Sequence, residues 1–274
     1  MSKTGTLSRR DILKTGGAVA ATSAATGLLP ENAEAAKNGN PRWAMVVDIR
    51  RCVGCRGCTV ACKSEYGVPL GNFQAVVKEV GWGKFPNTEK YFLPRLCNHC
   101  AGEKDVPPCV EKCPEAKSGK RMKLGKVRYR TGATYKRPDG MILVDNSLCI
   151  GCGKCIDACP YGVRSFNPFV KLTRPDREKD FGIAKCSFCQ HRVDKGVVPS
   201  CVNTCQGRAR IFGNLNDSNS EVSKLVKKFN LSNKVLLPEE KTMPHVYYID
   251  PAKVLGHYKI NRKTKEAEFK DQVE

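Results

Sequence analysis

The sequence has little of what imidazole-based metal sites and membrane proteins are built from. Only 4 of its 274 residues are histidine, so a metal centre that relies on imidazole ligands is not expected. Beyond residue 35, no stretch is apolar over the length of about 20 residues that crosses a bilayer. That part of the chain is therefore expected to be soluble and to meet a membrane only through a partner.

Acidic residues are also scarce, because 27 Asp and Glu stand against 47 Lys and Arg, for a net charge of +20. Such a charge is typical of proteins that bind acidic partners, anionic lipid headgroups or nucleic acid. The basic residues concentrate at 117–137 and 224–228. We expect these stretches to be solvated or to face an acidic partner or lipid. Nucleic acid is not expected, because the N-terminus carries an export signal.

That signal occupies residues 1–35. Residues 8–14 read Ser-Arg-Arg-Asp-Ile-Leu-Lys, which matches the twin-arginine export motif, and a weakly apolar stretch at 16–29 precedes Ala33-Glu34-Ala35. A small-residue site of this kind is where signal peptides are cleaved. The pattern predicts export in the folded, cofactor-loaded state to the periplasm or the outer face of the cytoplasmic membrane. An uncleaved anchor and a basic tail are the alternatives.

Cysteine is abundant, and each of the 16 belongs to a group of four. Two groups share the spacing C-x2-C-x2-C-x3-C, in which three thiolates of a bacterial ferredoxin hold one 4Fe–4S cluster and the fourth binds a neighbouring cluster. The other two groups are C-x2-C-x8-C-x3-C and C-x2-C-x11-C-x3-C. The groups are Cys52, Cys55, Cys58 and Cys62 (group I); Cys97, Cys100, Cys109 and Cys113 (group II); Cys149, Cys152, Cys155 and Cys159 (group III); and Cys186, Cys189, Cys201 and Cys205 (group IV).

Four complete groups predict four 4Fe–4S clusters. Disulfides are the general alternative for an even cysteine count in an exported protein, although closely spaced triplets are a poor disulfide framework. Structural zinc would suit groups II and IV but not the triplets of groups I and III. A mixed set, with one three-iron or zinc site, also stays open. Since no group lacks a cysteine, no cluster would have an iron free for substrate, so we expect a non-catalytic protein.

The chain repeats itself around these groups. Residues 45–55 align with 142–152, and 106–113 resemble 198–205. The repeats indicate two ferredoxin-like modules of an α+β fold, each with a short strand, a cluster loop and a helix. The apolar runs before groups I and III are expected to be edge strands. Further expected elements are strands at 126–130, 211–215 and, as the last one, 245–249, and a helix at 220–229.

Several polar side chains lie beside the cysteines. His99 is expected to make a hydrogen bond near a cluster rather than to bind iron, since four cysteines complete that site. Basic residues next to the thiols either raise the cluster potentials or face solvent. They are Arg56, Lys63, Lys154 and Lys185.

Four stretches, together with the cysteine groups, carry a resemblance to a known family. They are RWAMVVDIRRC at 42–52, LPRLCNHC at 93–100, ACPY at 158–161 and PHVYY at 244–248. The chain resembles the iron–sulfur subunits of the dimethyl sulfoxide reductase family of molybdenum enzymes, and is most similar to the tetrathionate reductase type. The resemblance implies transfer of electrons between a membrane quinol-oxidising subunit and a molybdopterin catalytic subunit. A periplasmic iron–sulfur subunit of a menaquinol-oxidising complex without molybdenum is the alternative.

The resemblance also implies crossed ligation within two pseudo-symmetric domains. The implied ligand sets are Cys52, Cys55, Cys58 and Cys205 (cluster 1); Cys186, Cys189, Cys201 and Cys62 (cluster 2); Cys97, Cys100, Cys109 and Cys159 (cluster 3); and Cys149, Cys152, Cys155 and Cys113 (cluster 4). Residues 36–96 and 180–215 would form the first module. Residues 97–179, with a basic insertion at 115–140, would form the second, and 216–274 a C-terminal extension.

Overall fold

The structure is a computed structural model that describes residues 39–171, 181–260 and the strand at 267–269. The predicted signal peptide lies outside these residues. The strands are β1 (Trp43–Asp48), β2 (Ala75–Lys84), β3 (Asn87–Leu96), β4 (Arg121–Leu124), β5 (Val127–Arg130), β6 (Thr134–Lys136), β7 (Ile142–Val144), β8 (Ser165–Lys171), β9 (Phe181–Ala184), β10 (Arg210–Asn214), β11 (Val246–Ile249), β12 (Tyr258–Ile260) and β13 (Ala267–Phe269). The helices are α1 (Gly57–Tyr66), α2 (Pro108–Glu111), α3 (Lys154–Asp157), α4 (Gln190–Val193), α5 (Ser200–Asn203) and α6 (Glu221–Lys228).

Strand β1 is the middle strand of a three-stranded sheet, with β10 antiparallel on one side and β11 parallel on the other. Its alternate side chains enter two different apolar clusters, Met45 and Val47 on one face and Ala44 and Val46 on the other. The predicted edge position of this strand is therefore wrong. A strand that is apolar on both faces has no side to turn to water, so it occupies the centre of a sheet.

The same order of elements follows β1 and β7. Strand β1 leads into the loop of group I and then helix α1, and β7 leads into the loop of group III and then α3. The predicted order of strand, cluster loop and helix is confirmed at both places. Within the described part of the chain β7 pairs with β6 alone, so it is an edge strand, as the sequence predicts.

A long hairpin connects groups I and II, and it was not predicted from the sequence. Strands β2 and β3 pair antiparallel from Ala75 opposite Leu96 to Lys84 opposite Asn87. Its base is buried, with Leu93 and Val80 inaccessible to solvent, and its tip is exposed. Because β3 ends at Leu96, the hairpin fixes where Cys97 and the rest of group II begin.

Helix contacts bring distant cysteine groups together. Helix α1, which carries Cys58 and Cys62, packs on α5, which carries Cys201. Helix α2 with Cys109 packs on α3 with Cys155. Group I therefore lies against group IV, and group II against group III.

The C-terminal residues take part in the central sheet. Helix α6 packs on β10 and β1, and β11 completes the sheet beside β1. The predicted helix at 220–229 and the strands at 211–215 and 245–249 are confirmed within a residue or two at their ends. Strand β11 is not the last strand, however, since β12 and β13 follow it.

The basic insertion contains regular structure. Strands β4 and β5 form an exposed hairpin, which confirms the strand predicted at 126–130, and β6 pairs with β7. No helix within the described residues is long and apolar enough to span a membrane.

Candidate functional site

All sixteen cysteines lie within the described residues, and every one is a free thiol. The disulfide alternative is therefore wrong for this structure. Across residues 39–171 and 181–260, no three His, Cys, Asp or Glu side chains converge on a point that would hold a single metal ion.

The loops of groups I and III have the same backbone shape. Gly54 and Gly151 have φ of 71° and 73° in the left-handed region, and Arg56 and Gly153, two residues later, have φ of 57° and 77°. A Cβ atom on Gly54 would stand 2.4 Å from the Phe92 ring. The loop therefore needs glycine there both for its backbone angle and for the close approach of β3.

Backbone N–H groups point at several of the sulfurs. Such bonds favour charged sulfur, because the donor stabilises the thiolate. The bonds run from Gly151 N to Cys149 Sγ (3.4 Å), from Phe188 N to Cys186 Sγ (3.4 Å) and from Ala209 N to Cys205 Sγ (3.2 Å).

Thiols of groups I and IV are close enough to interact. Burial raises the pKa of Cys62 to about 12, and Cys201 and Cys189 add to the rise. Burial also raises the pKa of Cys52, whose thiol neighbours are Cys58 and Cys205. The fourth cysteine of each group therefore lies beside thiols of the other group.

Groups II and III are related in the same way. Burial raises the pKa of Cys100, with Cys97 and Cys159 among its thiol neighbours. Burial raises the pKa of Cys149 as well, and the neighbours there include Cys113. Again the fourth cysteine of one group, Cys159 or Cys113, lies beside thiols of the other.

Raised thiol pKa values show what the cysteines require in order to act as ligands. Only the thiolate binds metal, so bound metal must supply positive charge and displace the protons. Iron in a 4Fe–4S cluster supplies that charge and accepts cysteine thiolates. Sixteen free, clustered thiols are a donor set that fits such clusters.

Two buried arginines lie among the thiols, and neither was predicted from the sequence as a site residue. Arg164 Nη2 donates to Cys109 Sγ at 3.1 Å, and its Nη1 donates to Thr134 Oγ1 at 3.3 Å. Burial would lower the pKa of this guanidinium, but the sulfurs of Cys109 and Cys155 raise it above its ordinary value.

Arg210 is the first residue of β10. Its Nη1 approaches Met45 Sδ at 3.8 Å, and its Nε and Nη2 have no hydrogen-bond partner among the described residues. Burial opposes its charge, yet Cys201 and Cys58 raise its pKa. A guanidinium buried in this way needs negative charge beside it, and the sulfurs are the groups that can carry that charge.

Of the four cations that the sequence places beside cysteines, only Lys185 is buried. It donates to the carbonyls of Ile142 and Cys186. Burial lowers its pKa, while Cys97, of group II, and Cys186, of group IV, oppose that effect. Lys185 therefore lies where groups II and IV meet.

The other three cations do not face the sulfurs. Arg56 pairs with Glu79 at the surface, and Lys154 is exposed. Lys63 donates to the carbonyls of Pro69 and Asn72. Arg56 and Lys154 are exposed, which agrees with the solvent-facing interpretation, whereas Lys63 is half-buried and bound to loop carbonyls.

His99 makes the hydrogen bond that the sequence predicts. It is fully buried, its Nδ1 accepts from Ile142 N at 3.0 Å, and burial lowers its pKa well below the ordinary value. Its ring stacks on Phe188 with the centroids 3.7 Å apart. Since His99 and Phe188 each precede the second cysteine of a C-x2-C pair, their stack joins the loops of groups II and IV.

Comparison with known proteins also indicates 4Fe–4S binding. The family model of a 4Fe-4S dicluster domain matches residues 88–215, and that of a 4Fe-4S binding domain matches residues 50–67. One subunit of the tetrathionate reductase of Salmonella typhimurium is 38% identical over 215 residues, which are 77% of this chain and 74% of that protein. The arsenate respiratory reductase iron-sulfur subunit of a Shewanella species is 36% identical over 246 residues, which are 76% of this chain and 96% of that protein.

The chain belongs to the iron–sulfur subunits of the dimethyl sulfoxide reductase family. It is an α+β protein with 4Fe–4S ferredoxin-type domains. Among the relatives of this subunit family is also the Hdr-like menaquinol oxidoreductase iron-sulfur subunit 1 of Archaeoglobus fulgidus, 34% identical over 246 residues, which are 76% of this chain and 82% of that protein.

Proposed function

We propose that the protein is an electron-transfer subunit with four 4Fe–4S clusters, each held by three cysteines of one group and the fourth of another. The groups would be crossed within two pseudo-symmetric domains, I with IV and II with III. The sets are Cys52, Cys55, Cys58 and Cys205 (cluster 1); Cys186, Cys189, Cys201 and Cys62 (cluster 2); Cys97, Cys100, Cys109 and Cys159 (cluster 3); and Cys149, Cys152, Cys155 and Cys113 (cluster 4).

The observation that carries this proposal is the position of the fourth cysteines. Cys62 lies beside Cys201 and Cys189 rather than only beside its own group, and burial together with these two thiols raises its pKa. Helix packing has the same consequence, because α1 contacts α5 and α2 contacts α3. Bacterial ferredoxins use their fourth cysteine in this crossed way.

Interactions between thiols of different ligand sets also support an order of the four clusters. Cys58, of cluster 1, is among the thiols that raise the pKa of Cys201, of cluster 2. In the same way Cys97, of cluster 3, raises that of Cys186, and Cys155, of cluster 4, that of Cys109. Clusters in these places would follow one another as 1, 2, 3 and 4, and would carry electrons one at a time through the protein.

The surface supports a partner at the end of this row that holds cluster 1. Cys55 is exposed, and so are Val53 and Val60 on either side of it, at 69% and 66%. We assign this end to a molybdopterin catalytic subunit and the cluster 4 end to an integral membrane quinol-oxidising subunit. Export by the twin-arginine signal would put the complex in the periplasm or on the outer face of the cytoplasmic membrane, associated with it through the partner.

Substitution of a fourth cysteine tests the ligation. In Cys62→Ser, the cluster held by group IV should be lost or converted, while that of Cys52, Cys55 and Cys58 stays intact. Iron and labile sulfide analysis with electron paramagnetic resonance on the anaerobically purified holoprotein would measure this. Loss of the group I cluster instead would contradict crossed ligation. Cys52→Ser should in turn remove cluster 1 and stop transfer from quinol to the acceptor.

Co-purification tests the partners. Anaerobic purification from membranes of the producing cell should yield a molybdopterin subunit in stoichiometric amount, with molybdenum or tungsten. Haem or a quinone-binding protein without either metal would favour the menaquinol-oxidising alternative, which the Archaeoglobus fulgidus relative supports. With either partner, the protein would carry electrons by the same row of clusters.

A further inference from the structure

Two arginines are buried at matching places in the chain. Arg164 and Arg210 are only 5% and 2% exposed, and each stands five residues after the fourth cysteine of its group. Arg210 begins β10, and Arg164 directly precedes β8. Among the described residues, neither arginine has an ion pair with a carboxylate.

Arg164 lies between groups II and III. Its Nη2 contacts Cys109 Sγ at 3.1 Å, and Cys155 is its next most strongly interacting sulfur. In the proposed ligand sets, Cys109 belongs to cluster 3 and Cys155 to cluster 4. The guanidinium therefore stands at the junction of these two clusters.

Arg210 occupies the corresponding place between groups I and IV. The sulfurs that interact with it most strongly are Cys201, of cluster 2, and Cys58, of cluster 1. Its Nε and Nη2 are buried without a hydrogen-bond partner in the described part of the chain. A cation in this state requires anionic neighbours, and the two clusters with their thiolates would provide them.

A fixed positive charge at a junction acts on both sides of it. Arginine keeps its charge at any pH that a protein experiences, and charges interact more strongly in a buried, low-dielectric place than in water. Such a charge favours the more negative, reduced state at both adjacent sites. It also offsets the repulsion between electrons on neighbouring sites.

We propose that Arg210 sets the reduction potentials of clusters 1 and 2 together, and that Arg164 sets those of clusters 3 and 4. The proposal rests on the crossed ligand sets of the proposed function. In this proposal the two arginines act on the clusters through their charge and do not bind iron. The row of clusters is thereby tuned in two pairs, one arginine to a pair.

The test is a redox titration of the anaerobically purified holoprotein, followed by electron paramagnetic resonance, in Arg210→Gln and Arg164→Gln. Each neutral variant should lower the equilibrium constant for one-electron reduction of two clusters by about tenfold, which is about 59 mV per cluster. The two clusters that shift in one variant should be the two that do not shift in the other. This criterion needs no prior assignment of the signals.

Matched variants separate charge from structure. Arg208→Gln removes an exposed arginine two residues before Arg210 and should leave all four potentials unchanged, because solvent screens its charge. Arg210→Lys and Arg164→Lys keep the charge and should retain potentials close to those of the wild type. The iron content of each variant is a further measurement. Loss of iron confined to the two adjacent clusters in a Gln variant, with full loading of the Lys variant, would also support the proposal.

Three results would overturn it. They are unchanged potentials in fully loaded Gln variants, equal shifts of all four clusters, and loss of all four clusters in both Gln variants. A wild-type holoprotein with fewer than four clusters would contradict the proposed function instead. The two failures are therefore distinguishable before any variant is compared.

Discussion

At the scale of single residues, His245 is buried without charge. It is 2% exposed, and Arg42 Nε donates to its Nε2 at 3.1 Å, which requires the neutral ring. Burial, with help from Arg42, lowers its pKa to about 3. Removal of water from around the imidazole penalises its charged form, and the nearby guanidinium repels it.

This predicts a loss of stability in mild acid. Below pH 6.5, the ordinary pKa of histidine, the unfolded chain binds a proton at this residue that the folded protein does not bind. The free energy of unfolding should therefore fall by up to about 1.4 kcal/mol for each pH unit as pH decreases from 6.5 towards 3. Anaerobic denaturant titrations of the holoprotein between pH 8 and pH 5 would measure the slope.

His245→Gln should flatten that slope, because the amide oxygen can accept from Arg42 without titrating. His191→Gln is the matched control, since His191 pairs with Glu65 at the surface and is 49% exposed. The same flattening in both variants would mean that acid sensitivity does not arise from burial of His245.

Lys185 supports a second prediction at this scale. Its ammonium donates to the buried carbonyls of Ile142 and Cys186. In Lys185→Met these oxygens lose their donor, which should cost about 1–3 kcal/mol of unfolding free energy. Lys154→Met is the control, because Lys154 also directly precedes a cysteine but is exposed. Equal midpoints of the two variants in urea would contradict a bridging role for Lys185.

At the scale of elements, the sequence predicted the helices and strands whose signals lie within a few neighbouring residues. The run at 211–215 and the helix at 220–229 appear as β10 and α6, because apolar spacing is a local signal. The place of β1 in the sheet was predicted wrongly, because its neighbours β10 and β11 come from residues 210–214 and 246–249, far along the chain. Sequence spacing does not carry information about such partners.

The cysteines could be identified as site residues from the sequence, whereas the buried arginines could not. The reason is again that their contacts join residues far apart in the chain. Cysteine spacing made all sixteen candidate ligands visible, and all lie within the described residues. Arg164 and Arg210 look like ordinary basic residues in a chain with 47 Lys and Arg. Only the fold buries them against sulfurs that are distant in sequence. The single local signal was their common place five residues after a group's last cysteine.

Helix α6 offers a prediction for an element. Ser220 Oγ accepts from Ser223 N at 3.2 Å and donates to Asn214 O at 2.7 Å, so it both caps the helix and ties it to β10. Ser220→Ala should destabilise the protein by about 1–2 kcal/mol. Ser218→Ala, an exposed change in the same turn, should change stability by less than about 0.5 kcal/mol. A thermal or urea midpoint for each variant decides the matter.

At the scale of the whole molecule, the cysteine groups hold distant segments together. Group I precedes group IV by more than a hundred residues, yet α1 packs on α5. The stack of His99 on Phe188 then joins group II to group IV. Removal of the metal should therefore affect the packing of the entire chain rather than one loop, since metal binding and folding are coupled in such proteins.

We expect anaerobic removal of iron to unfold the protein. Without iron, burial keeps the thiols protonated, as the raised pKa of Cys62, about 12, and of Cys201, about 11, indicates. Arg164 and Arg210 would then be buried cations without anionic neighbours, and an unpaired buried charge costs about 3–5 kcal/mol. Near-ultraviolet circular dichroism and limited proteolysis before and after chelation would follow the change. Native signals that persist after complete iron removal would contradict it.

A double variant identifies what unfolds the iron-free chain. Replacement of both arginines by leucine removes the unpaired charges and keeps apolar bulk at the same places, a change that is often neutral or stabilising for buried ions. The iron-free Arg164→Leu, Arg210→Leu protein should therefore resist protease better than the iron-free wild type. Its iron-loaded form should lose stability relative to the loaded wild type, because the clusters and thiolates then lack their buried cations. If the iron-free double variant is as sensitive as the iron-free wild type, the missing iron–sulfur bonds rather than the unpaired charges account for the unfolding.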